Sequence, residues 1–241
     1  MPPRKTAPRR FPFDRVAIGL LAMLAIGLTG RAWLAENPQH DPWAPLEIAH
    51  PPGWATGMKL AALRSDLPAC RAVLERGEVA FEALPAAGTG ECARPDRTVL
   101  TASSLAPRSP QMTCPVAVSM AIWQRQTVAP AAEDLLGSPV ARIEHLGTYN
   151  CRRIGGGTAG DWSEHASGNA IDIAAFVLED GRRISVLDDW RGSGPEAAFL
   201  HRVRDGACAA YTTVLSPDYN AAHADHLHLD QAARMVGGVC R

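Results

Sequence analysis

Fifteen consecutive residues without a charge, "VAIGLLAMLAIGLTG" (16–30), come after a cluster of five cations, Arg4, Lys5, Arg9, Arg10 and Arg15. This feature constrains the chain most, because it sets the compartment of the residues beyond it and thereby the chemistry open to the cysteines. A spanning helix needs about 20 apolar residues, a length this run reaches once Arg31 snorkels and "AWLA" joins it. The positive-inside rule then keeps the basic end in the cytoplasm. Residues 1–35 are expected to form a cytoplasmic basic tail and a single-pass signal anchor in the inner membrane, with the remaining chain in the periplasm. A cleaved signal peptide or a buried core helix would carry a similar run, although no clear small-x-small cleavage site comes after it.

The cysteines agree with export. There are six, Cys70, Cys92, Cys114, Cys151, Cys208 and Cys240, with no Cys-x-x-Cys pair among them. Zinc-ribbon spacing is absent, and an oxidising compartment favours three disulfides over buried free thiols. Six cysteines allow fifteen pairings. Nearest-neighbour pairing, 70 with 92, 114 with 151 and 208 with 240, is the simplest expectation. Lysine plus arginine number 24 against 25 acidic residues, so no global field recruits nucleic acid, and no such partner is expected.

Residues 36–64 read as a proline-rich linker, because "ENPQHDPWAPLEIAHPPGWAT" lacks helical or strand periodicity. Residues 65–241 read as the globular domain. "SDLPACRAVLERG" carries the marks of a short capped helix. "VLTASSL" reads as a short strand, and "TCPVAVSMAIWQRQTV" as a helix capped by Thr113 with Pro115 in its first turn and an apolar stripe of Val118, Ile122 and Trp123. "VARIEHLGTYNCR" predicts a strand entering the glycine-rich "IGGGTAGDW". "NAIDIAAFVLEDGRRISV" predicts a hairpin turning at Asp180 and Gly181. The helix "PEAAFLHRVRDGACAAY" and the strands "TTVLSP" and "HLHLDQ" come after it. Strands and helices without βαβ alternation predict an α+β fold: a small, mainly antiparallel sheet with flanking helices, stapled by disulfides after the N-terminal membrane helix.

Strand alternation turns spacing into geometry. In "NAIDIAAF" the isoleucines 171 and 173 take one face, while Ala170, Asp172 and Ala174 take the other. In "HADHLHLD" Leu227 and Leu229 point to the core, leaving His226, His228 and Asp230 on the opposite face. Histidines at i and i+2 stand about 6.6 Å apart at the backbone, near enough to address one site. A carboxylate on the small-residue face of an apolar strand is costly without a partner. His165 in the preceding loop, Asp172 and one strand histidine would supply the three protein ligands of a catalytic Zn2+.

Ser163, His165, Gly168, Ala170 and Asp172, with His226-x-His228 downstream, resemble the zinc site of the LAS peptidases: lysostaphin-type enzymes, D-Ala-D-Ala peptidases and the hedgehog signalling domain. The resemblance implies His165, Asp172 and His228 as metal ligands. From about Cys70 to Cys240 the chain resembles the bacterial extensin-like C-terminal family, through "TCP", "YNCR", "SEHASGNAIDI" and "HADHLHLD". Many D-Ala-D-Ala peptidases carry a glutamate base three residues before the last zinc histidine; here that position is Asp225, one carbon shorter. His223-x-x-His226-x-His228 instead resembles the ending of penicillin-insensitive murein endopeptidase, which implies His226 as base with His223 assisting. Arg152 in "GTYNCR" is the candidate for holding a substrate carboxylate or an oxyanion, with Arg153 as the alternative.

Ser163, Asp225 and Asp230 are expected around the ligands, Asp230 buttressing a ligand histidine. Glu164 is expected to be a solvated neighbour, and Trp162 and Trp190 to pack or to stack on substrate. The expected function is an envelope zinc hydrolase cleaving an amide bond of peptidoglycan peptides. The alternative is a non-catalytic zinc-containing wall-binding or structural envelope protein.

Overall fold

The computed structural model describes residues 12–108, 110–234 and 237–241. Arg4, Lys5, Arg9 and Arg10 of the basic tail lie outside the described residues. A long helix, α1 (Pro12–Glu36), comes first. Its span from Phe13 to Glu36 is long and apolar enough to cross a membrane, and none of it is buried against the rest of the chain. The helix continues through Arg31 without a break. It is therefore an exposed apolar helix, as a membrane anchor or a signal peptide requires, and not a core helix.

Two short helices come next, α2 (Thr56–Leu63) and α3 (Leu67–Arg76). Asp66 caps α3: its carboxylate accepts from the Ala69 N–H at 2.9 Å, satisfying one of the free amides of the first turn. The strands β1 (Phe81–Leu84), β2 (Arg97–Leu100), β3 (Leu105–Ala106) and β4 (Gln111–Met112) come after them. The predicted strand "VLTASSL" is thus split by a turn into the end of β2 and the start of β3. Helices α4 (Cys114–Trp123) and α5 (Ala129–Leu136) are joined by one π-helical turn over Gln124–Val128. The chain then runs through β5 (Val140–Gly147), β6 (Ala170–Leu178), β7 (Arg183–Ser185), α6 (Val186–Asp189), α7 (Pro195–Ala207), β8 (Thr213–Leu215), β9 (Leu227–Asp230) and β10 (Val239–Cys240).

The strands form two sheets rather than one. β1, β2 and β4 make a small antiparallel sheet. The larger sheet runs β10-β8-β9-β6-β5-β3, with β7 also paired to β6. Its pairings are antiparallel except β10 with β8 and β3 with β5. The mainly antiparallel α+β class expected from the sequence is what the chain adopts. The β6–β7 hairpin turns where predicted, at Asp180 and Gly181, whose φ of +89° suits glycine alone among common residues.

The core lies between the large sheet and α4 with α7. Ile171, Ile173 and Phe176 of β6 are buried with Phe199, Leu200 and Val203 of α7 and Trp123 of α4. Phe176 meets Trp123 and Phe199 edge to face, with centroids 5.9 and 5.0 Å apart. The Trp123 indole N–H donates to the Val203 carbonyl at 2.7 Å, so its polar atom is not stranded. In α4 every residue but Ala121 is buried. Val118, Ile122 and Trp123 are therefore part of a helix covered all round, not a stripe on a half-exposed one.

Two expectations are corrected by this packing. The disulfides join Cys70 to Cys114, Cys92 to Cys151 and Cys208 to Cys240. Only the last is a nearest-neighbour pair; packing of α3 on α4 and of the Cys92 turn on the Glu164–Ser167 turn overrides distance along the chain. The proline-rich stretch is also more than a spacer. Leu46, Ile48, Leu60 and Leu63 from residues 36–64 join the core. Ile48 packs so tightly on Gly77 that a Cβ there would lie 2.6 Å from its Cδ1, and Gln126 donates to the Ile48 carbonyl at 2.9 Å. Apolar residues spaced this irregularly leave no periodic signal, because the segment is held from outside by side chains of other elements.

Candidate metal centre

β6 and β9 pair antiparallel with Asp172 directly opposite His228. The leucines flanking His228 are buried in the core, so alternation turns Asp172 and His228 to the opposite face, beside one another. His165 arrives from a 3-10 turn over Glu164–Ser167. Ser163 caps that turn, its hydroxyl accepting from the His165 N–H at 3.3 Å. Gly168 ends it in the left-handed region at φ +75°, which sends the chain straight into β6.

Three ligand atoms meet. His165 Nε2 lies 3.1 Å from His228 Nδ1 and 3.2 Å from Asp172 Oδ1, and His228 Nδ1 lies 3.0 Å from the same Asp172 Oδ1. The outward nitrogens are already committed. His165 Nδ1 donates to the Thr148 carbonyl at 3.2 Å, and His228 Nε2 donates to Asp230 Oδ2 at 3.0 Å. A carbonyl and a carboxylate can only accept, so both imidazoles turn lone pairs inward to a carboxylate that also only accepts. Three acceptors in mutual contact repel unless a cation or a proton lies among them. Ligands 2.0–2.1 Å from a tetrahedral ion stand roughly 3.3–3.4 Å from one another, close to the spacing here. The donor set suits Zn2+, and both second hydrogen bonds are those that fix a ligand histidine's tautomer.

The electrostatics are set by this crowding. Burial would raise the Asp172 carboxyl, but hydrogen bonds from His165 and His228 and their charges hold it well below the carboxylate range. Burial would lower His228, yet hydrogen bonds and charge from Asp172 and Asp230 outweigh it and lift the metal-free imidazole to about 9. A proton thus occupies the centre when no cation does.

His226 flanks the cluster. Its Nδ1 donates to Asp225 Oδ1 at 2.8 Å, leaving a lone pair on Nε2, 3.6 Å from Asp172 Oδ1. His223 stands behind it, ring centroids 5.2 Å apart, and donates from Nδ1 to Asn220 Oδ1 at 2.7 Å. Burial, then the neighbouring His226 and His228, press the His223 imidazole down to about 4, so it is neutral at neutral pH.

A model of the family described as extensin-like protein C-terminus matches residues 68–241. The chain belongs to that family. No curated protein and no solved structure matches it. All three candidate ligands, and every other candidate site residue, lie within the extensin-like domain.

The structure disposes of the other sequence candidates differently. Asp230 of the extensin-like domain touches His228 as expected, and Ser163 positions the His165 turn through the backbone. Asp225 faces His226. Arg152 is exposed, and among the described residues its guanidinium makes no hydrogen bond, while its carbonyl accepts from Ser163 N–H at 3.2 Å. Arg153 is used locally: it stacks on Trp162 at 4.4 Å and donates to the Gly160 carbonyl, closing the base of the glycine-rich loop. That contact gives Trp162 a packing role. Trp190 is buried and donates to Asp218 Oδ1 at 3.0 Å. Glu164 is not a solvated neighbour. It accepts from Asn169 Nδ2 at 2.6 Å, and burial raises its carboxyl. Arg94 joins the surroundings of the site without having been a candidate: its guanidinium lies 3.7 Å from the Tyr149 ring centre and its Cδ stands close to Gly168. A single arginine in a loop offers no pattern by which to find it.

Proposed function

We propose that the extensin-like domain is a Zn2+-dependent hydrolase that cleaves an amide bond of peptidoglycan peptides, held by α1 at the inner membrane with the domain in the periplasm. One observation carries the reading: three acceptor atoms from His165, Asp172 and His228 converge at 3.0–3.2 Å while the outward nitrogens of both histidines are hydrogen-bonded. The resemblance of the same residues to the LAS peptidase motif supplies the reaction class. Three disulfides fit an oxidising compartment, and α1 fits an anchor.

Zinc, when bound, supplies Lewis acidity that polarises a carbonyl and lowers the pKa of water to about 7. The chain's own groups do the rest. His226 accepts a proton at Nε2 from the attacking water, because Asp225 holds its Nδ1–H and stabilises the imidazolium that forms. The same nitrogen returns the proton to the leaving amine. His223 stays neutral and presents an acceptor nitrogen beside His226. Arg152, exposed next to the His165 turn, steadies a substrate carboxylate or oxyanion.

The test is to purify the full chain in detergent, measure its zinc, and track muropeptide cleavage by mass spectrometry. Wild type is expected to carry about one zinc and to cleave; His228→Ala is expected to do neither. A metal-free wild type, or full activity in His228→Ala, would overturn the reading. Asp225 stands where many relatives of the motif have a glutamate base, yet it is bound to His226. The lack of a glutamate at that position favours a second reading, a metal-containing wall-binding module, which predicts zinc and retention on insoluble peptidoglycan without cleavage.

A further inference from the structure

The end of α1 carries an aromatic cluster. The fifteen uncharged residues rise about 22 Å along a helix, short of the roughly 30 Å hydrocarbon core. With Arg31 snorkelling, the residues beyond it complete the span, and Trp33, about 30 Å along the helix from Phe13, stands at the edge of the headgroup layer. Indole rings favour that layer because it is apolar on one side and wet on the other. Trp33 has company there. Its ring stacks on His40, with centroids 5.2 Å apart and planes at 22°, and lies 5.6 Å from Trp54. His40 and Trp54 lie 4.5 Å apart.

The same region is tied to the domain by hydrogen bonds. Asn37 Nδ2 donates to the Trp33 carbonyl at 2.9 Å, and the Trp54 N–H donates to His40 Nδ1 at 3.1 Å. Lys59 of α2 donates from Nζ to the Pro38 carbonyl at 2.7 Å. On the same helix Leu60 is buried in the core. The end of α1 is thus fastened to the domain rather than joined to it by a free spacer. Yet Trp54 is 81% exposed, and Trp43, three residues after His40, is 87% exposed. Large indole surfaces left open beside an apolar helix mark a surface that meets something apolar.

We propose that Trp33, His40 and Trp54, with Trp43 beside them, dock the extensin-like domain onto the bilayer surface at the headgroup level. The lipid interface covers the open indoles, and the domain is held at one height above the membrane. The proposal rests on the reading of α1 as an uncleaved anchor. The test uses the full chain in phosphatidylethanolamine–phosphatidylglycerol vesicles, with and without bromine near the headgroup end of the acyl chains. Flotation in alkaline carbonate reports the anchor independently. The Trp54 signal is taken as the fluorescence difference between wild type and Trp54→Phe, a substitution at an exposed ring, with circular dichroism checking the fold. In brominated vesicles that difference is expected to fall, as for an indole at the headgroup level, and to resist aqueous iodide. A chain that floats while its Trp54 signal ignores bromine and is quenched by iodide overturns the docking and leaves the anchor standing. A chain that does not float removes both.

Discussion

Replacing Asp230 by asparagine separates two effects that the proposed metal centre would combine. Asp230 Oδ2 accepts from His228 Nε2 at 3.0 Å, and its Oδ1 accepts from the Ala232 N–H at 2.9 Å. An amide keeps the shape and an acceptor but loses the charge. A carboxylate behind a ligand histidine contributes on the order of 10- to 100-fold to metal affinity, so the variant should bind zinc more weakly once protons no longer compete. Protons do compete below that point, because the metal-free His228 titrates at about 9, through Asp172 and Asp230 acting against burial. At pH 6.5 a proton with that pKa weakens zinc binding by about 300-fold; at pH 8.5 the factor is only about fourfold. Asp230→Asn removes one of the two charges that hold the proton, so the competition should shrink.

The two affinity curves should therefore converge or cross as pH falls. Wild type should gain nearly tenfold per pH unit up to about pH 9, and the variant should flatten earlier. Competition against a chromophoric chelator from pH 6 to 9 reads both curves. Parallel curves, or a wild-type affinity that ignores pH over this range, would refute the assignment of His228 as a ligand that carries the site's proton.

The same geometry predicts further outcomes. For the metal-free chain, a His228 pKa raised to about 9 contributes stability that is complete below the unfolded value and lost as pH rises through 9; urea unfolding after chelation should show a fall of about 3 kcal/mol between pH 6.5 and 9.5. A flat profile would contradict the Asp172–His228–Asp230 arrangement. Ile48→Ala should cost about 2–4 kcal/mol as a core deletion does, read as a lowered thermal midpoint, whereas a true linker residue would cost almost nothing. Peptide mapping without reduction should find Cys70 with Cys114 and Cys92 with Cys151. Removing either bridge, which closes loops of 44 and 59 residues, should cost about 4 kcal/mol by the loop-entropy estimate.

The residues legible in the sequence are those whose neighbours are set by local periodicity. Asp172 and His228 fall on predictable faces because Ile171, Ile173, Leu227 and Leu229 alternate with them and need a core. Gly181 announces its turn for an equally local reason. His165 is placed by its motif alone, since a loop histidine has no period. The features that stay hidden depend on contacts between distant segments. Nothing near Cys70 indicates that α3 will lie on α4 and bring Cys114 to it. Ile48 is a single apolar residue among prolines, and only Gly77 and Gln126 from elsewhere show it to be core. Glu164 looks solvated until Asn169 closes over it. Thr148, whose carbonyl fixes the His165 tautomer, is an ordinary residue at the end of a strand.

The strand order β8-β9-β6 bears on how this centre comes into being. His228 reaches Asp172 only when β9 has slotted between a strand that precedes it by about a dozen residues and another more than fifty residues back. No fragment that lacks this insertion holds the three donors, and an unfolded chain holds them far apart. If the centre binds Zn2+ as proposed, metal stoichiometry would count the correctly assembled molecules in any preparation. On the proposed reading, a cation would be captured only by a chain whose sheet has already closed.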